Sequence, residues 1–375
     1  MRVLMISKAF VLGTAQRKLE ELAKYPDIEL VAVTPPHWLS DDGNKQVLER
    51  TYLEGYKLIV TPMVFNGHFH THYYPQLGRI IGEVQPDLVH MDEEPYNFAT
   101  FQAIRRAHKR KIPALFFAFQ NLYREYPPPF RQLEQYNYSH TQYAQAGNNS
   151  AAEVLRRKGY KGQIRVIAQF GADPAIHFPD SGRAARGPND PFILGYVGRL
   201  KPEKGLPLII EALASLPNCC RAVFVGHGPL REDLERQAAD LGVADRVTFK
   251  AVVPSYKVPD EMRQMDVLLL PSLTRPNWAE QFGRVLVEAM CCGVPVIGSD
   301  SGEIPFVIGD AGLIFPEGNA QELAARVRQL LDDPALYARL AIQGRLRVLE
   351  NFTQEAIAKQ TYKLYVEMLA GKTTP

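Results

Sequence analysis

Residues 266–300 constrain the fold of this chain more than any other stretch of its sequence. An apolar run of strand length stops at Pro271, apolar residues recur at helical spacing between 285 and 290, and a second apolar run follows. Gly283 and Gly293 stand where such a helix would begin and end. The order strand, helix, strand predicts part of a parallel sheet in an α/β protein.

Two carboxylates, Glu280 and Glu288, flank the start of this predicted helix. Eight helical residues span about 12 Å. The free N–H groups at a helix start favour a phosphate, and Gly283 has no side chain to block it. The spacing suits an elongated ligand with hydroxyls at both ends and an anionic centre, such as a sugar nucleotide. The alternative is a strand–helix–strand unit with two ordinary surface glutamates.

Length and composition set broad limits on the protein. A chain of 375 residues exceeds one typical core, so two domains are predicted. The net charge of +2 argues against a general nucleic-acid binder. The cysteines form two adjacent pairs without metal-ligand spacing, which is typical of a reducing compartment. No apolar run is long enough for a signal peptide or a membrane span, so we expect a cytoplasmic protein.

The first half of the chain also alternates between strand and helix patterns. A strand at 3–6 leads into a loop containing Gly13, and a helix follows to Lys24. This loop lacks the Gly-x-Gly-x-x-Gly pattern, so a nicotinamide cofactor is not favoured. Further strands are predicted at 28–33, 57–60, 85–90 and 112–119.

Polar residues follow two of these strands. Glu93 and Glu94 come after the strand that ends at His90, and Gln120 and Asn121 come after the next strand. The carboxyl ends of parallel strands are where such sheets bind ligands. The two acids also precede a predicted helix, so a favourable interaction with its dipole is the alternative interpretation.

Two further clusters each have two interpretations. The basic run 105–111 either compensates the end of a helix and faces solvent, or contacts anionic lipid. His68, His70 and His72 would share one face of a strand and could bind a metal, but no carboxylate or cysteine follows at ligand spacing. A loop or a role beside the acceptor is the favoured interpretation.

The second half restarts the alternation after residues 179–191, a polar Gly/Pro-rich segment predicted to link two domains. Arg199 and Lys204 lie in a loop after a strand at 192–197. A guanidinium and an ammonium suit a diphosphate, although each alone is more often a surface cation. A tight turn at 226–229 follows the next strand and could admit a ligand.

Several motifs occur in one fixed order across the second half. They are Gly198-Arg199-Leu200 with Lys204-Gly205, Gly226-His227-Gly228-Pro229, Pro271-Ser272, Glu280-x7-Glu288, Gly293-Val-Pro295-Val and Gly302-Glu-Ile-Pro305. This ordered set resembles a retaining glycosyltransferase of family GT4, with the GT-B fold, most densely from about 192 to 315. The resemblance implies two Rossmann-like doubly wound domains facing a central cleft: 1–180 for the acceptor, 181–351 for the donor. A helix at 352–375 would cross back to the first domain.

The resemblance also implies roles for individual residues. Arg199 and Lys204 would hold the diphosphate of a UDP- or GDP-linked sugar, and Glu280 would bind the hydroxyls of that sugar. Glu288 would bind the ribose diol. The other implied donor-binding positions are Gly13, Gly198, Gly226, His227, Gly228, Phe282, Gly283, Arg284 and Val285. Thr14 replaces the second glycine that the family commonly has beside Gly13.

One departure from the family pattern concerns the acceptor side, to which His90, Glu93, Glu94, Gln120 and Asn121 are assigned. Family members often have a histidine at the position of Gln120. A glutamine binds a hydroxyl but cannot exchange a proton near neutral pH. His90 or Glu93 is therefore a candidate to compensate.

The resemblance implies a reaction that retains the anomeric configuration, in which the leaving phosphate assists deprotonation of the acceptor. No Asp-x-Asp motif occurs, so neither a metal nor another cofactor is expected. Polysaccharide, lipid-linked and small-molecule acceptors all fit the sequence. The alternatives are a non-catalytic sugar-nucleotide-binding or scaffold protein, and a phosphorylase or epimerase of the same fold.

Overall fold

The computed structural model describes residues 1–40, 43–180, 182, 187 and 190–370, and these form two compact units. The first unit is Met1–Phe170 together with the chain from Gln354 onward, and the second is Gly171–Thr353. Each unit contains one main parallel β-sheet. Two Rossmann-like α/β domains were predicted, and this fold class is confirmed.

The divisions between the units differ from the predicted boundaries after residues 180 and 351. The N–H of Ala172 donates to the carbonyl oxygen of Phe352 at 2.8 Å. This bond attaches the chain after Phe170 to the second unit, so the division falls about ten residues earlier than a reading of Gly and Pro content suggests. The predicted linker, 179–191, lies largely outside the described residues.

The first unit is built around strand β1. Its strands are β1 (Arg2–Ile6), β2 (Glu29–Thr34), β3 (His37–Leu39), β4 (Lys45–Val47), β5 (Lys57–Val60), β6 (Leu88–Met91), β7 (Ala114–Ala118), β8 (Tyr143–Ala146) and β9 (Gln163–Val166). Its helices are α1 (Gly13–Ala23), α2 (Leu77–Val84), α3 (Phe98–Lys109), α4 (Phe130–His140) and α5 (Asn149–Arg157). The sheet order is β5-β2-β1-β6-β7-β8-β9, and β3 and β4 form a separate antiparallel pair. Because helices cover both faces of such a sheet, the central strands are continuous apolar runs, and Val3 to Ile6 are fully buried.

The second unit repeats this plan. Its strands are β10 (Phe192–Val197), β11 (Cys220–Val225), β12 (Val247–Lys250), β13 (Val267–Leu270), β14 (Val296–Ser299) and β15 (Leu313–Phe315). Its helices are α6 (Pro207–Ser215), α7 (Arg231–Asp240), α8 (Val258–Arg263), α9 (Arg284–Cys291), α10 (Ile304–Ile308), α11 (Ala320–Asp332) and α12 (Pro334–Asn351). The parallel sheet has the order β12-β11-β10-β13-β14-β15. The strand order reverses between β10 and β13, as it does between β1 and β6, and ligands bind such sheets at these switch points.

A last helix, α13 (Gln354–Ala370), belongs to the first unit and packs against α1. Tyr365 on α13 is fully buried, and its hydroxyl lies 2.7 Å from Nδ1 of His90 in β6. Tyr362 stacks on Tyr25 with ring centroids 4.0 Å apart. Within the described residues, no helix is both long and apolar enough to cross a membrane.

Candidate active site

The predicted donor-binding residues of the second unit converge on the carboxyl edge of its sheet. Loops at 198–206, 226–230, 271–283 and 300–303 follow β10, β11, β13 and β14 respectively. Since β10 and β13 flank the switch point, this edge is where the fold predicts a ligand. The motifs that are far apart in the sequence therefore lie on adjacent strands.

The loops after β10 and β11 touch through their backbones. Gly226 has a φ of +146°, and a side chain on it would overlap the carbonyl oxygen of Gly198. Leu200 N–H donates to the carbonyl oxygen of His227 at 2.8 Å. Glycine is therefore required at position 226 for the close approach of the two loops. The side chains of Arg199 and His227, one on each loop, are exposed.

Lys204 and Glu280 form the centre of the candidate site. Lys204 Nζ lies 2.6 Å from Glu280 Oε2, which also accepts a hydrogen bond from the Ser272 hydroxyl at 2.9 Å. The Ser299 hydroxyl donates to the Ser272 carbonyl oxygen at 2.6 Å. The Glu280 residue is 8% exposed, so its carboxylate is held at a fixed position with one edge available to a ligand.

Trp278 and Ser299 are site residues that sequence reasoning missed. Lys204 Nζ lies 4.7 Å from the centroid of the Trp278 ring, a distance at which a cation is attracted to an aromatic face. Trp278 stands two positions before Glu280, and this adjacency is the one signal that could have identified it. Ser299 ends a buried strand and gave no signal in the sequence.

Helix α9 places the second carboxylate of the motif. Gly283 stands at its N-cap with a φ of +74°, and no side chain caps the helix. Arg284 is exposed and its Nε lies 3.1 Å from Oε1 of Glu288, one turn along the helix. Phe282 is buried, and Val285 is half-buried, so Phe282 offers a ligand its backbone but not its ring.

The guanidinium of Arg199 differs from the ammonium of Lys204. Arg199 is exposed, and across the described ranges no hydrogen bond or ion pair joins its guanidinium to another protein group. An exposed cation at the switch point is available to an anion. Lys204, in contrast, must share its charge between Glu280 and any phosphate that binds.

Gly13 has a different environment from that predicted for a donor-binding loop. Its N–H donates to the Glu49 carboxylate at 2.5 Å, and Thr51 lies directly over the glycine. The first free N–H of α1 is therefore occupied by a carboxylate of the protein itself. Gly13 belongs to the first unit, whereas the other predicted donor-binding residues belong to the second.

Neither His90 nor Glu93 is placed to compensate for Gln120. His90 is fully buried in β6, and burial lowers its pKa well below the ordinary value. Burial alone would raise the pKa of Glu93, but Lys8 at 2.9 Å and His72 at 2.6 Å hold it well below its usual range. Both side chains therefore make their contacts in the interior of the first unit, which argues against compensation by these residues.

The remaining acceptor-side residues lie at the carboxyl ends of β6 and β7. Gln120 Oε1 accepts from Lys158 Nζ at 3.0 Å, and its Nε2 donates to the Leu122 carbonyl oxygen at 2.8 Å. Asn121 is half-buried. Glu94 Oε1 accepts from the N–H of Phe119 at 2.9 Å.

The three histidines do not share one face of a strand. The chain turns at Gly67, whose φ is +91°, so the segment forms turns instead of a strand. His72 is buried against Glu93, whereas the ring of His70 packs on Tyr96 at 5.3 Å. Among the described residues no group of three or more His, Cys, Asp or Glu is placed to hold a metal ion.

Comparisons with known proteins agree with this geometry. The family model described as "Glycosyl transferases group 1" matches residues 180–347. These residues are similar to the glycosyl transferases group 1 family. The predicted resemblance is thereby confirmed for the unit that contains Lys204 and Glu280.

Several curated relatives are similar to this chain over part of their length. A GDP-mannose-dependent alpha-(1-6)-phosphatidylinositol monomannoside mannosyltransferase of Mycolicibacterium smegmatis is 34% identical over 195 residues, which is 48% of this chain and 51% of the relative. A 2-deoxystreptamine glucosyltransferase of Streptomyces kanamyceticus is 36% identical over 38% of this chain and 37% of the relative. A D-inositol 3-phosphate glycosyltransferase of Streptomyces bingchenggensis is 30% identical over 59% and 51% respectively. The chain thus spans about half or less of the length of these relatives.

Solved structures match the fold over nearly the whole chain. The Anabaena protein Alr3699/HepE, in complex with UDP, has a TM-score of 0.71 at 20% identity and covers 98% of this chain and 100% of its own. WaaG, a glycosyltransferase involved in lipopolysaccharide biosynthesis, has a TM-score of 0.60 at 18% identity, with 97% and 99% covered. These structures show the GT-B fold.

Proposed function

We propose that this protein is a glycosyltransferase that moves a sugar from a nucleotide donor to a hydroxyl acceptor with retention of configuration. The observation that carries the proposal is the Lys204–Glu280 pair, 2.6 Å apart at the switch point of the second unit. A cation and a fixed carboxylate side by side suit a ligand whose phosphate adjoins a hydroxylated ring. The matched family and relatives support the same reaction class.

The chemistry requires that the leaving diphosphate be stabilised while the acceptor is held in position. Arg199 and Lys204 would neutralise the charge that develops on the diphosphate, together with the uncapped start of α9. Glu280 would accept hydrogen bonds from the sugar hydroxyls, and Glu288 would bind the ribose diol. The departing phosphate oxygen would take the proton of the acceptor hydroxyl, so no metal and no further cofactor is required.

The donor is proposed to be a UDP- or GDP-linked sugar. One relative is named for GDP-mannose, and Alr3699/HepE was crystallised with UDP. The acceptor is proposed to bind the first unit and to be a small molecule, a lipid-linked sugar or a polysaccharide. Names of relatives mention 2-deoxystreptamine and D-inositol 3-phosphate, both hydroxylated rings.

A panel of UDP- and GDP-sugars tests the donor class by thermal shift, because a ligand that binds only the folded state raises the melting temperature. Lys204→Ala should abolish the shift and the release of nucleoside diphosphate. Lys250→Ala is the matched control, since Lys250 makes an equal 2.6 Å pair with Glu261 outside the site. No shift in the wild type with any sugar nucleotide would refute the proposal.

Product analysis tests the finer claims. The anomeric coupling constant of the product distinguishes retention from inversion, and activity after exhaustive chelation tests metal independence. Donor binding without turnover on any acceptor would favour a non-catalytic sugar-nucleotide-binding protein. Release of sugar 1-phosphate that depends on added phosphate, or epimerisation of the donor, would instead identify a phosphorylase or an epimerase.

Peripheral contact with an anionic membrane is a second proposal, based on the basic run 105–111. Arg105, Lys109 and Lys111 are exposed, at the amino edge of the sheet where β7 begins. Arg110, by contrast, donates to the carbonyl oxygen of Gly78 on α2 at 3.2 Å. Substituting Lys109 and Lys111 by alanine should weaken sedimentation with phosphatidylserine vesicles, and wild-type protein that fails to bind them at low salt would contradict the proposal.

A further inference from the structure

A cluster of aromatic and charged side chains lies at the carboxyl edge of the first unit's sheet. We call it the Glu94 cluster and define it by Glu94, Tyr96, Gln120, Tyr126 and Lys158. It combines ring faces with ionisable groups. Ligand pockets have this composition, with aromatic walls and a small number of placed polar groups.

Glu94 has unused hydrogen-bonding capacity. Its Oε1 accepts from the N–H of Phe119 at 2.9 Å, which fixes the carboxyl group against the end of β7. Its Oε2 is buried and accepts no hydrogen bond of good geometry within the described residues, although the backbone N–H of Gln120 lies close enough to lower the pKa of the carboxyl group. A buried acceptor without a donor destabilises the protein, because its hydrogen bonds to water are lost and not replaced. A ligand hydroxyl that donated to this oxygen would therefore bind favourably.

The other polar members of the cluster are already paired. Gln120 is bonded at both ends of its carboxamide, to Lys158 and to the Leu122 carbonyl oxygen. Lys158 also pairs with Glu134 at 2.8 Å, and its side chain is 5% exposed. Among Glu94, Gln120 and Lys158, it is therefore the Glu94 carboxyl that has an oxygen available to a ligand. The Gln120 carboxamide instead holds the Lys158 side chain in place.

The aromatic members provide a surface for a ring. Tyr96 and Tyr126 lie with ring centroids 4.3 Å apart, and His70 packs on both, at 5.3 and 5.5 Å. Phe130 lies 5.1 Å from His70, and Lys158 Nζ lies 4.7 Å from the ring centroid of Tyr126 and 5.9 Å from that of Tyr96. Aromatic faces offer large apolar area at fixed geometry, which suits the C–H faces of a saturated hydroxylated ring.

The protonation of Glu94 is set by its surroundings. Burial raises its pKa to about 7, against the opposing effect of the Phe119 N–H and of the lysines at 8 and 158. The titratable and charged groups around it are Lys8, Tyr96, Tyr126, Glu134, Tyr138 and Lys158. The Glu94 carboxyl therefore changes charge near neutral pH. The Gln120 side chain cannot change charge in this range.

We propose that Glu94 binds a hydroxyl of a carbohydrate or cyclitol acceptor whose ring lies against Tyr96 and Tyr126. This site rests on the proposed function and names its acceptor class. The ionised carboxylate accepts a charge-assisted hydrogen bond from the hydroxyl group, and this bond is stronger than the one that the neutral acid makes. Acceptor affinity consequently increases as the pH rises through neutrality.

Glu94→Gln provides the test because glutamine retains an oxygen for the Phe119 N–H but never ionises. The probes are methyl α-D-mannopyranoside and myo-inositol, which have no group that titrates between pH 5.5 and 8.5, and they are titrated calorimetrically at these two values of pH in the presence of saturating UDP or GDP. The wild type should bind at least one probe about 5- to 25-fold more tightly at pH 8.5, because hydrogen bonds to charged groups are the stronger ones and only a few per cent of a carboxyl with a pKa of about 7 is ionised at pH 5.5. Glu94→Gln should show the weaker affinity at both values of pH.

Glu125→Gln is the control, since Glu125 is an exposed carboxylate on the loop after β7 that also contains Gln120 and Tyr126, and it accepts a hydrogen bond from the Tyr123 hydroxyl. It should bind and respond to pH as the wild type does. Once a donor is identified, the acceptor KM of the wild type should fall as the pH rises, and Glu94→Gln should have a raised acceptor KM that no longer depends on pH, with an unchanged donor KM. A structural defect would alter the donor KM as well.

Two results would overturn the site. One is an unchanged pH dependence in Glu94→Gln, and the other is the absence of binding of both probes at millimolar concentration to wild-type protein that binds a nucleotide sugar. Failure of the proposed function itself has a different signature, because wild-type protein would then bind no nucleotide sugar at all.

Discussion

Replacing Glu280 by glutamine keeps the size of the side chain and removes its charge. Glutamine can still accept the hydrogen bond from Ser272, but the ion pair with Lys204 is lost. The carboxylate oxygens that would receive the sugar hydroxyls become one neutral acceptor and one donor. Glu280→Gln therefore isolates the charge of the site from its shape.

The size of the effect follows from the number of charged hydrogen bonds removed. A hydrogen bond to a charged group contributes about 1.5–3 kcal/mol, and about 1.36 kcal/mol corresponds to a tenfold change in rate. Losing one such bond to the donor should lower kcat/KM by about 10- to 150-fold. The assay is the initial rate of nucleoside diphosphate release from the donor that gives the largest thermal shift.

Glu261→Gln is the matched control for this prediction. Glu261 pairs with Lys250 at 2.6 Å, and its side chain is 18% exposed, against 11% for Glu280. Both variants lose one partly exposed ion pair, which contributes at most about 1 kcal/mol to stability. Wild-type kcat/KM in Glu280→Gln, or an equal loss in Glu261→Gln, would refute the reasoning, and thermal unfolding identifies any variant that fails to fold.

Three further predictions test other features of the structure. A Trp38→Phe variant retains Trp278 as the single tryptophan of the chain. Donor binding should change the fluorescence of Trp278, because the Lys204 ammonium above its ring moves to the donor phosphate. An unchanged emission spectrum at saturating donor contradicts this prediction. Gly226→Ala should lower the free energy of unfolding by about 1–3 kcal/mol more than Gly242→Ala, because both glycines have positive φ but open space surrounds the second; equal denaturant midpoints for the two variants argue against it. Finally, the folded Glu94 carboxyl, with a pKa of about 7 against an ordinary 4.5, holds its proton more tightly than the unfolded chain does, so this stabilisation is lost as the pH rises from 4.5 to 7. Urea unfolding should show the wild type losing up to about 3 kcal/mol relative to Glu94→Gln across this range, and parallel profiles would exclude it.

The strands of both sheets could be predicted because parallel strands are buried on both faces. Their continuous apolar runs stand out between polar turns, and the bounds predicted for 57–60 and 192–197 match β5 and β10. The Glu280 motif could also be predicted, since its spacing places one carboxylate in a loop and the other on a helix. All of these features depend on residues that are close together in the sequence.

Contacts between distant residues could not be predicted in the same way. Nothing near Gly13 indicates that Glu49, 36 residues later, binds its N–H. The pairing of Gln120 with Lys158 spans 38 residues and depends on where α5 packs. For this reason the sequence predicts which residue types occupy the site. It does not predict which of these residues keep a hydrogen-bonding group that no other protein group uses.

The histidine segment shows a second limit. Alternation at 68, 70 and 72 fits a strand period, but left-handed backbone at Phe65 and Gly67 turns the chain instead. A short pattern of period two is weak when turn-forming residues adjoin it. The imidazoles consequently point to different neighbours and have separate environments.

The return of α13 to the first unit has a consequence for biosynthesis. His90 and Tyr365 are 275 residues apart in the chain, and Gly171–Thr353 is made between the two parts of the first unit. At about 5–20 residues per second, this interval lasts roughly 10–40 s on the ribosome. During that time the surface of α1 that will receive α13 stays uncovered. Nascent chains stalled before residue 354 should therefore remain cleavable by protease in the first unit.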